Sequence, residues 1–436
     1  MDIKTIKTIE SATEKSLSSF AKLSFSLLFL LAVFLWTYSS HGKVPDNTFL
    51  IIGAIFGAYM ALNIGANDVA NNVGPAVGAR ALTLTGAIII AAIFESAGAI
   101  IAGGDVVNTI KSGIINPNLI TDKNSFIWAM TAGLLAGAVW LNFATSIGAP
   151  VSTTHAIVGG VMGAGIASAG FSILNWGSLA EIASSWVISP LLGGIVAAGF
   201  LYFIKKQIVY KENMIEQAQK FVPILIAIMT WAFTTYLILK GLKQLVNISF
   251  LFASGISLLF AFVAYYITKK SIDKNLSNLS NDRSSVNKLF TPALIFGAAL
   301  LSFAHGANDV SNAIGPLAAI NDAIMHGGTS VKASVPFWIM VVGAIGIVIG
   351  LILYGPRLIK TVGSEITELD QMRAFSVAMA TAVTVIIASQ MGLPVSSTHI
   401  AIGGVFGVGF LREALDMSEK NYVQDIREKF KKHKKE

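Results

Sequence analysis

Cysteine is absent from the chain, which excludes a disulfide framework, a thiolate metal site and a cysteine nucleophile. Charge is nearly as scarce. Asp, Glu, Lys and Arg make up 13% of the 436 residues, about half of what a soluble domain carries. Neither an HExxH zinc-protease pattern nor a GxSxG hydrolase pattern occurs, so two common hydrolytic classes lack their motif. What is present is apolar: 54% of residues are hydrophobic and the mean hydropathy is +0.69. Lipid, not water, is the main solvent such a chain requires. The 40 glycines suit close helix packing, because small residues let backbones approach where no hydrophobic force acts between helices.

Apolar runs near the ~20 residues needed to cross a bilayer fall at about 23–40, 48–64, 81–102, 126–143, 151–171, 183–204, 221–240, 248–268, 290–304, 334–354, 374–391 and 399–411. They predict an all-α polytopic membrane protein of about twelve transmembrane segments. The first run follows a polar stretch carrying Lys4, Lys7, Lys15, Glu10 and Glu14, and it ends at Ser39, Ser40 and His41 without a clear cleavage motif. A retained helix is therefore expected in place of a cleaved leader.

Basic residues gather in the N-terminal segment, at 205–220 (Lys205, Lys206, Lys211, Lys220), at 269–289 and from Arg412 onward. Twelve spans with both termini inside put all four stretches on one face, along with Arg80, Arg357, Lys360 and Arg373. The positive-inside rule makes that face cytoplasmic, in a plasma or inner membrane. The tail KFKKHKKE reads equally as a solvated charge run or as a contact for anionic lipid.

The chain repeats itself. Gly65-Ala66-Asn67-Asp68-Val69-Ala70-Asn71 is matched by Gly306-Ala307-Asn308-Asp309-Val310-Ser311-Asn312, each followed by Gly-Pro. Further on, Gly148-Ala149-Pro150-Val151-Ser152-Thr153-Thr154-His155 is matched by Gly392-Leu393-Pro394-Val395-Ser396-Ser397-Thr398-His399, each followed by Gly-Gly. Two motifs in one order at nearly one offset mark a duplication. The organisation expected is an N-terminal cytoplasmic segment and extra helix (1–47), repeat 1 (48–171), linking helices and cytoplasmic loops (172–289), repeat 2 (290–411) and a basic tail (412–436). Three spans lie between the repeats, so the second unit enters from the opposite side. Inverted-topology repeats built on discontinuous helices typify secondary transporters, with substrate and ions near the midplane.

Asp68 and Asp309 sit at membrane depth, where a carboxylate costs roughly 2.5–3.5 kcal/mol and is by default a functional hypothesis. The surrounding Gly, Asn and Pro predict a broken helix whose free carbonyls face protein or a cavity. Carboxylate, amide and carbonyl oxygens at Asn67, Asp68, Asn308 and Asp309 suit a small hard cation; capping near the headgroups is the plainer alternative. The second motif reads as a helix start, Pro followed by hydroxyl residues. Ser152, Thr153, Thr154, Ser396, Ser397 and Thr398 would then surround two helix N-termini able to hold a tetrahedral oxyanion without Lys or Arg, with Asn71 and Asn312 as weaker candidates. Glu95, which has no repeat partner, and His155 and His399 are candidates for gating or proton relay; a structural role is the alternative for each.

At these motifs the sequence resembles the inorganic phosphate transporter (PiT) family, over roughly 48–204 and 290–411. The resemblance implies phosphate uptake by symport with sodium or protons, Asp68 and Asp309 binding the sodium, and Ser152–Thr154 and Ser396–Thr398 binding phosphate. Some relatives carry sulfate, which stands as the alternative cargo. Alternating access follows as the expected mechanism. Partners are then the anion, a coupling cation and lipid, with no nucleic acid and a homodimer left open; no cofactor is expected beyond the coupling cation. An intramembrane aspartyl enzyme and a passive channel are the rival classes.

Overall fold

The structure, a computed structural model, describes the backbone of residues 3–44, 46–116, 119–120, 122–241, 248–275, 279–326, 335–364 and 369–433, and side chains within these except at 3–18, 105, 275, 364 and 416–433. The side chains of Lys4, Lys7, Lys15 and of the tail beyond 415 thus lie outside it. Among the described residues the chain forms α-helices and no strand: α1 (Ile3–His41), α2 (Asn47–Asn67), α3 (Ala70–Gly78), α4 (Leu84–Ala102), α5 (Gly104–Asn108), α6 (Lys123–Ile147), α7 (Thr153–Ala169), α8 (Trp176–Ile204), α9 (Met214–Gly241), α10 (Phe250–Asn275), α11 (Arg283–Leu289), α12 (Thr291–His326), α13 (Phe337–Ser364), α14 (Gln371–Gln390) and α15 (Ser397–His433). Ten stretches are long and apolar enough to cross a membrane, α2 and α3 counting as one. The 17-residue α7 and the start of α15 complete the twelve apolar segments.

Local chemistry sets the helix ends. Oxygen side chains cap the N-termini: Thr83 for α4, Asp122 for α6, Ser152 for α7 and Asp370 for α14 each accept a backbone N–H three residues on. Ser396 does the same for His399 at the start of α15. Gly148 and Gly392, at φ +79 and +70, end α6 and turn the chain after α14, a left-handed conformation that favours glycine.

The surface is turned inside out relative to a soluble protein. Leu251, Phe262 and Ile195 are exposed, while Asp68, Glu95, His305 and Asp309 are buried. In lipid the apolar side chains face the solvent and the costly polar ones face the bundle interior.

Two parallel helix pairs form the core. In α2 and α13, a Cβ on Gly65 would strike the carbonyl of Ile347, and one on Gly350 the carbonyl of Leu62. In α4 and α12, Gly306 lies against the Glu95 carbonyl and Gly98 against that of Phe303 in the same way. Gly65 and Gly306 are equivalent in the duplication, so the contacts make Ile347 the counterpart of Glu95. Small residues permit this backbone approach, and the repeat reproduces it.

Four of the twelve expected segments are arranged as two hairpins. Helices α6 and α7 pair antiparallel, with Gly133 against Val161, and α14 and α15 are likewise joined by a short turn. The turn of the first pair brings Thr153 to Asp309, which lies near the middle of α12. Each pair is therefore a re-entrant hairpin that stops at mid-depth. The first opens toward the end where Ile115 bridges Leu174 and Lys123 meets Asp46 at 2.7 Å. The second opens toward the end of α8 that carries Lys205, since Phe375 meets Phe200 edge to face and α15 runs parallel to α8 from Pro190–Gly403 to Gly194–Gly407. Apolar length could not distinguish a hairpin arm from a crossing. Replacing two crossings by a hairpin leaves the parity unchanged, and α8, α9 and α10 still separate repeats of opposite direction.

Candidate functional site

The two hairpin tips meet between α2, α3 and α12. Thr154 donates to the carbonyl of Val395 across the tips at 2.9 Å, and the rings of His155 and His399 lie 4.8 Å apart. Asn67 and Asn308 hold the tips in matching ways. Asn67 donates to Thr145 Oγ1 and the Ala149 carbonyl, both at 3.0 Å, and accepts from the Val151 N–H. Asn308 donates to Ser389 Oγ at 2.9 Å and the Leu393 carbonyl at 3.1 Å, and accepts from Val395 N–H. The amides of these two expected ion ligands thus each bond both arms of a hairpin.

Only the first copy of the motif breaks its helix. Between α2 and α3, Asp68 and Val69 form a turn, and Asn71 Nδ2 binds the Asp68 carbonyl at 3.1 Å. In the second copy α12 runs unbroken through Asn308, Asp309 and Pro316, with Ser311 Oγ bonded to the Asn308 carbonyl at 2.6 Å. The expectation of two broken helices here is corrected. Gly-Pro within a helix removes one backbone bond, and close packing by neighbours tolerates that loss.

Asp68 and Asp309 come together as one buried cluster. Thr153 Oγ1 lies 2.9 Å from Asp68 Oδ2 and 3.2 Å from Asp309 Oδ2, and its single proton serves one carboxylate at a time. Thr398 donates to Asp68 Oδ1. Asn71 reaches Asp68 Oδ1 at 3.0 Å and Thr398 at 2.8 Å, while Asn312 reaches Thr153 and Thr154 at 3.1 Å each. Each motif asparagine thus bonds hydroxyls of the other repeat's hairpin. Ser152 and Ser396 serve as caps behind this layer. Ser397 Oγ, Asp309 Oδ1 and Asn312 Oδ1 are buried without a hydrogen-bond partner, oxygen valences that a hard cation or an anion's hydroxyl could fill.

His305, which the motif comparison passed over, completes the cluster. Its Nδ1 lies 2.7 Å from Glu95 Oε2, and its Nε2 lies 3.0 Å from Asp309 Oδ2 and 3.7 Å from Asp68 Oδ2. Asn72 donates to the other Glu95 oxygen at 2.7 Å. Nitrogen and carboxylate oxygens of Asp68, His305 and Asp309 lie within 4.8 Å of one another. A protonated His305 would donate to Glu95 from one ring nitrogen and to Asp309 from the other. Glu95 is thereby placed as the partner of His305. The signal was present: an ionisable residue inside an apolar run, immediately before Gly306 where repeat 1 has Ile64.

His155 and His399 stand behind the tips. His155 Nδ1 is 2.6 Å from Ser152 Oγ, and its ring packs on Trp186 at 3.7 Å, whose Nε1 binds the Pro394 carbonyl. That arrangement couples the two hairpins.

Two carboxylates and the hydroxyls of two opposed hairpin tips thus share one buried cluster, and comparison with known proteins shows the family in which it occurs. Residues 64–428 match a family model described as the phosphate transporter family. A Helicobacter pylori (strain J99) protein named "Putative phosphate permease" is 53% identical over 98% of this chain and 81% of its own length. A Thermococcus kodakarensis protein of similar name is 39% identical over 87% and 93%. A solved structure, "The sodium-dependent phosphate transporter", shares 36% identity and a TM-score of 0.79 over 84% of this chain and 90% of that one. The intramembrane-enzyme reading falls away, and the chain belongs to the phosphate transporter family.

Proposed function

We propose that the chain imports inorganic phosphate by symport with a cation held at Asp68 and Asp309, the hairpins alternately opening the central cluster to either face. One observation carries this reading: Asp68, Thr153 and Asp309 share a single buried cluster at the meeting point of hairpins that enter from opposite ends. Carboxylates hold the cation. The hydroxyls of Thr153, Thr154, Ser397 and Thr398 and the N-termini of α7 and α15 receive the phosphate once the cation has offset the cluster's negative charge. Asn71 and Asn312 orient those hydroxyls, and Asn67 and Asn308 fix the tips.

Coupling answers an energetic need. An anion entering against an inside-negative potential loses about 2.3 kcal/mol per charge per 100 mV, and a co-moving cation offsets it. Sodium is the favoured cation, because the oxygen-rich donor set suits a hard ion and the solved relative is named sodium-dependent. Uptake of radiolabelled phosphate and sulfate into proteoliposomes, with sodium and pH gradients imposed separately, tests the proposal. Phosphate accumulation driven by sodium alone is expected; accumulation indifferent to both gradients contradicts symport.

A further inference from the structure

A second cavity lies away from the central cluster, between α1, α2, the end of α6 and α13. It has a volume of about 540 Å³ and is lined by Lys22, Ser26, Asn63, Thr145, Tyr354 and Arg357 among others. A neighbouring hollow of about 600 Å³ shares Arg357 and adds Lys360. Among the described residues, neither lining contains an acid. The Lys22 ammonium sits 5.9 Å from the centre of the Tyr354 ring, and Ser26 Oγ is 3.0 Å from the Tyr354 hydroxyl. Arg357 gives one N–H to the Ser146 carbonyl at 3.2 Å, leaving further donors of its fork directed elsewhere.

We infer that this cavity is a second site for a phosphate group, bound between Lys22 of α1 and Arg357 of α13. The chemistry favours that class of ligand: two cations with no carboxylate in the lining among the described residues, one a guanidinium able to bind oxyanions in fork geometry, flanked by hydroxyl and amide donors. The site touches the transport machinery at one remove. Thr145 on its wall accepts the bond from Asn67, the residue before Asp68, and Arg357 holds the carbonyl of Ser146 at the end of the same hairpin arm. A phosphate group on the remaining donors of Arg357 would fix the guanidinium that holds that carbonyl, so occupancy bears on how firmly the first hairpin is held. Lys22 and five more of the sixteen lining residues come from α1, which lies outside the residues 64–428 matched by the family model. Leu23, Leu27 and Leu30 continue the lining, so a free phosphate ion and the headgroup of an anionic lipid both fit.

The test is equilibrium dialysis of radiolabelled inorganic phosphate against the full chain in nanodiscs of neutral phosphatidylcholine. Wild type should bind one more equivalent than Lys22→Gln, and Lys22→Arg should restore it. The equivalent that Lys22→Gln retains should disappear in Asp68→Asn, which shows that the Lys22 variant is folded and separates this inference from the central-site reading. Repeating the dialysis in discs containing phosphatidylglycerol identifies the occupant: loss of the Lys22-dependent equivalent assigns the site to lipid headgroups, retention to the free ion. Equal binding by wild type and Lys22→Gln in both lipids overturns the inference and leaves the central site standing. Loss of nothing in Asp68→Asn counts against the central site instead.

Discussion

His305 of α12 touches Glu95 of α4 at 2.7 Å, and the equivalent place in the other helix pair, α2 with α13, is filled by two isoleucines, Ile64 and Ile347. The duplication is therefore symmetric in its packing and asymmetric in its charge: the α4–α12 pair adds an acid and a histidine to the shared cluster while the α2–α13 pair stays apolar at the same place. A buried pair broken on one side leaves an uncompensated charge, at a cost of about 3–5 kcal/mol, whereas replacing both members by apolar residues can be neutral.

That asymmetry sets a first prediction. Glu95→Ile alone should destabilise the protein by about 3 kcal/mol, and Glu95→Ile with His305→Ile should cost less than the sum of the two single changes, because the pair is then lost only once. Denaturation in detergent, read as a double-mutant cycle, checks this. Additive costs would mean that the two side chains do not act as a pair.

The reciprocal helix contacts give a second prediction. Gly98→Ala and Gly350→Ala place a methyl group on the carbonyls of Phe303 and Leu62, and overpacking of this kind costs typically 1–3 kcal/mol. Gly163→Ala in α7 has open space at its Cβ and should be neutral or raise stability by roughly 0.5–1 kcal/mol. Thermal unfolding midpoints should fall below the wild type for Gly98→Ala and Gly350→Ala, and at or above it for Gly163→Ala.

Much of this fold is legible in the residues. The paired Asn-Asp and Ser/Thr-Thr-His motifs place Asp68, Asp309, Thr153 and Thr398, and the odd number of intervening spans gives the inversion. Hairpins escape such a reading, because α6 and a crossing helix have the same apolar length and differ only in where Gly148 turns the chain. The role of Asn67 escapes it too: a side-chain amide serves equally as ion ligand or as clamp, and only the positions of Thr145, Ala149 and Val151 decide. His305 was missed because the likeness of the two copies begins one residue later, at Gly65 and Gly306.

The clamps give a third prediction. Asn67→Asp keeps an acceptor for Val151 N–H but loses donation to the Ala149 carbonyl, and Asn308→Asp does the same at Leu393. Each should lower phosphate uptake and loosen its own hairpin. The chain has no cysteine, so a cysteine introduced at Ser146 or Gln390 reports the loosening by its labelling rate. Faster labelling at 146 in Asn67→Asp and at 390 in Asn308→Asp is expected; unchanged rates would deny the clamping role.

The central claim is that Asp68 and Asp309 together hold the coupling cation, and sodium-driven accumulation of radiolabelled phosphate in proteoliposomes bearing Asp68→Asn or Asp309→Asn tests it most directly. Neither variant should raise internal phosphate above its equilibrium level under an inward sodium gradient. Accumulation at the wild-type level in either one would contradict the account.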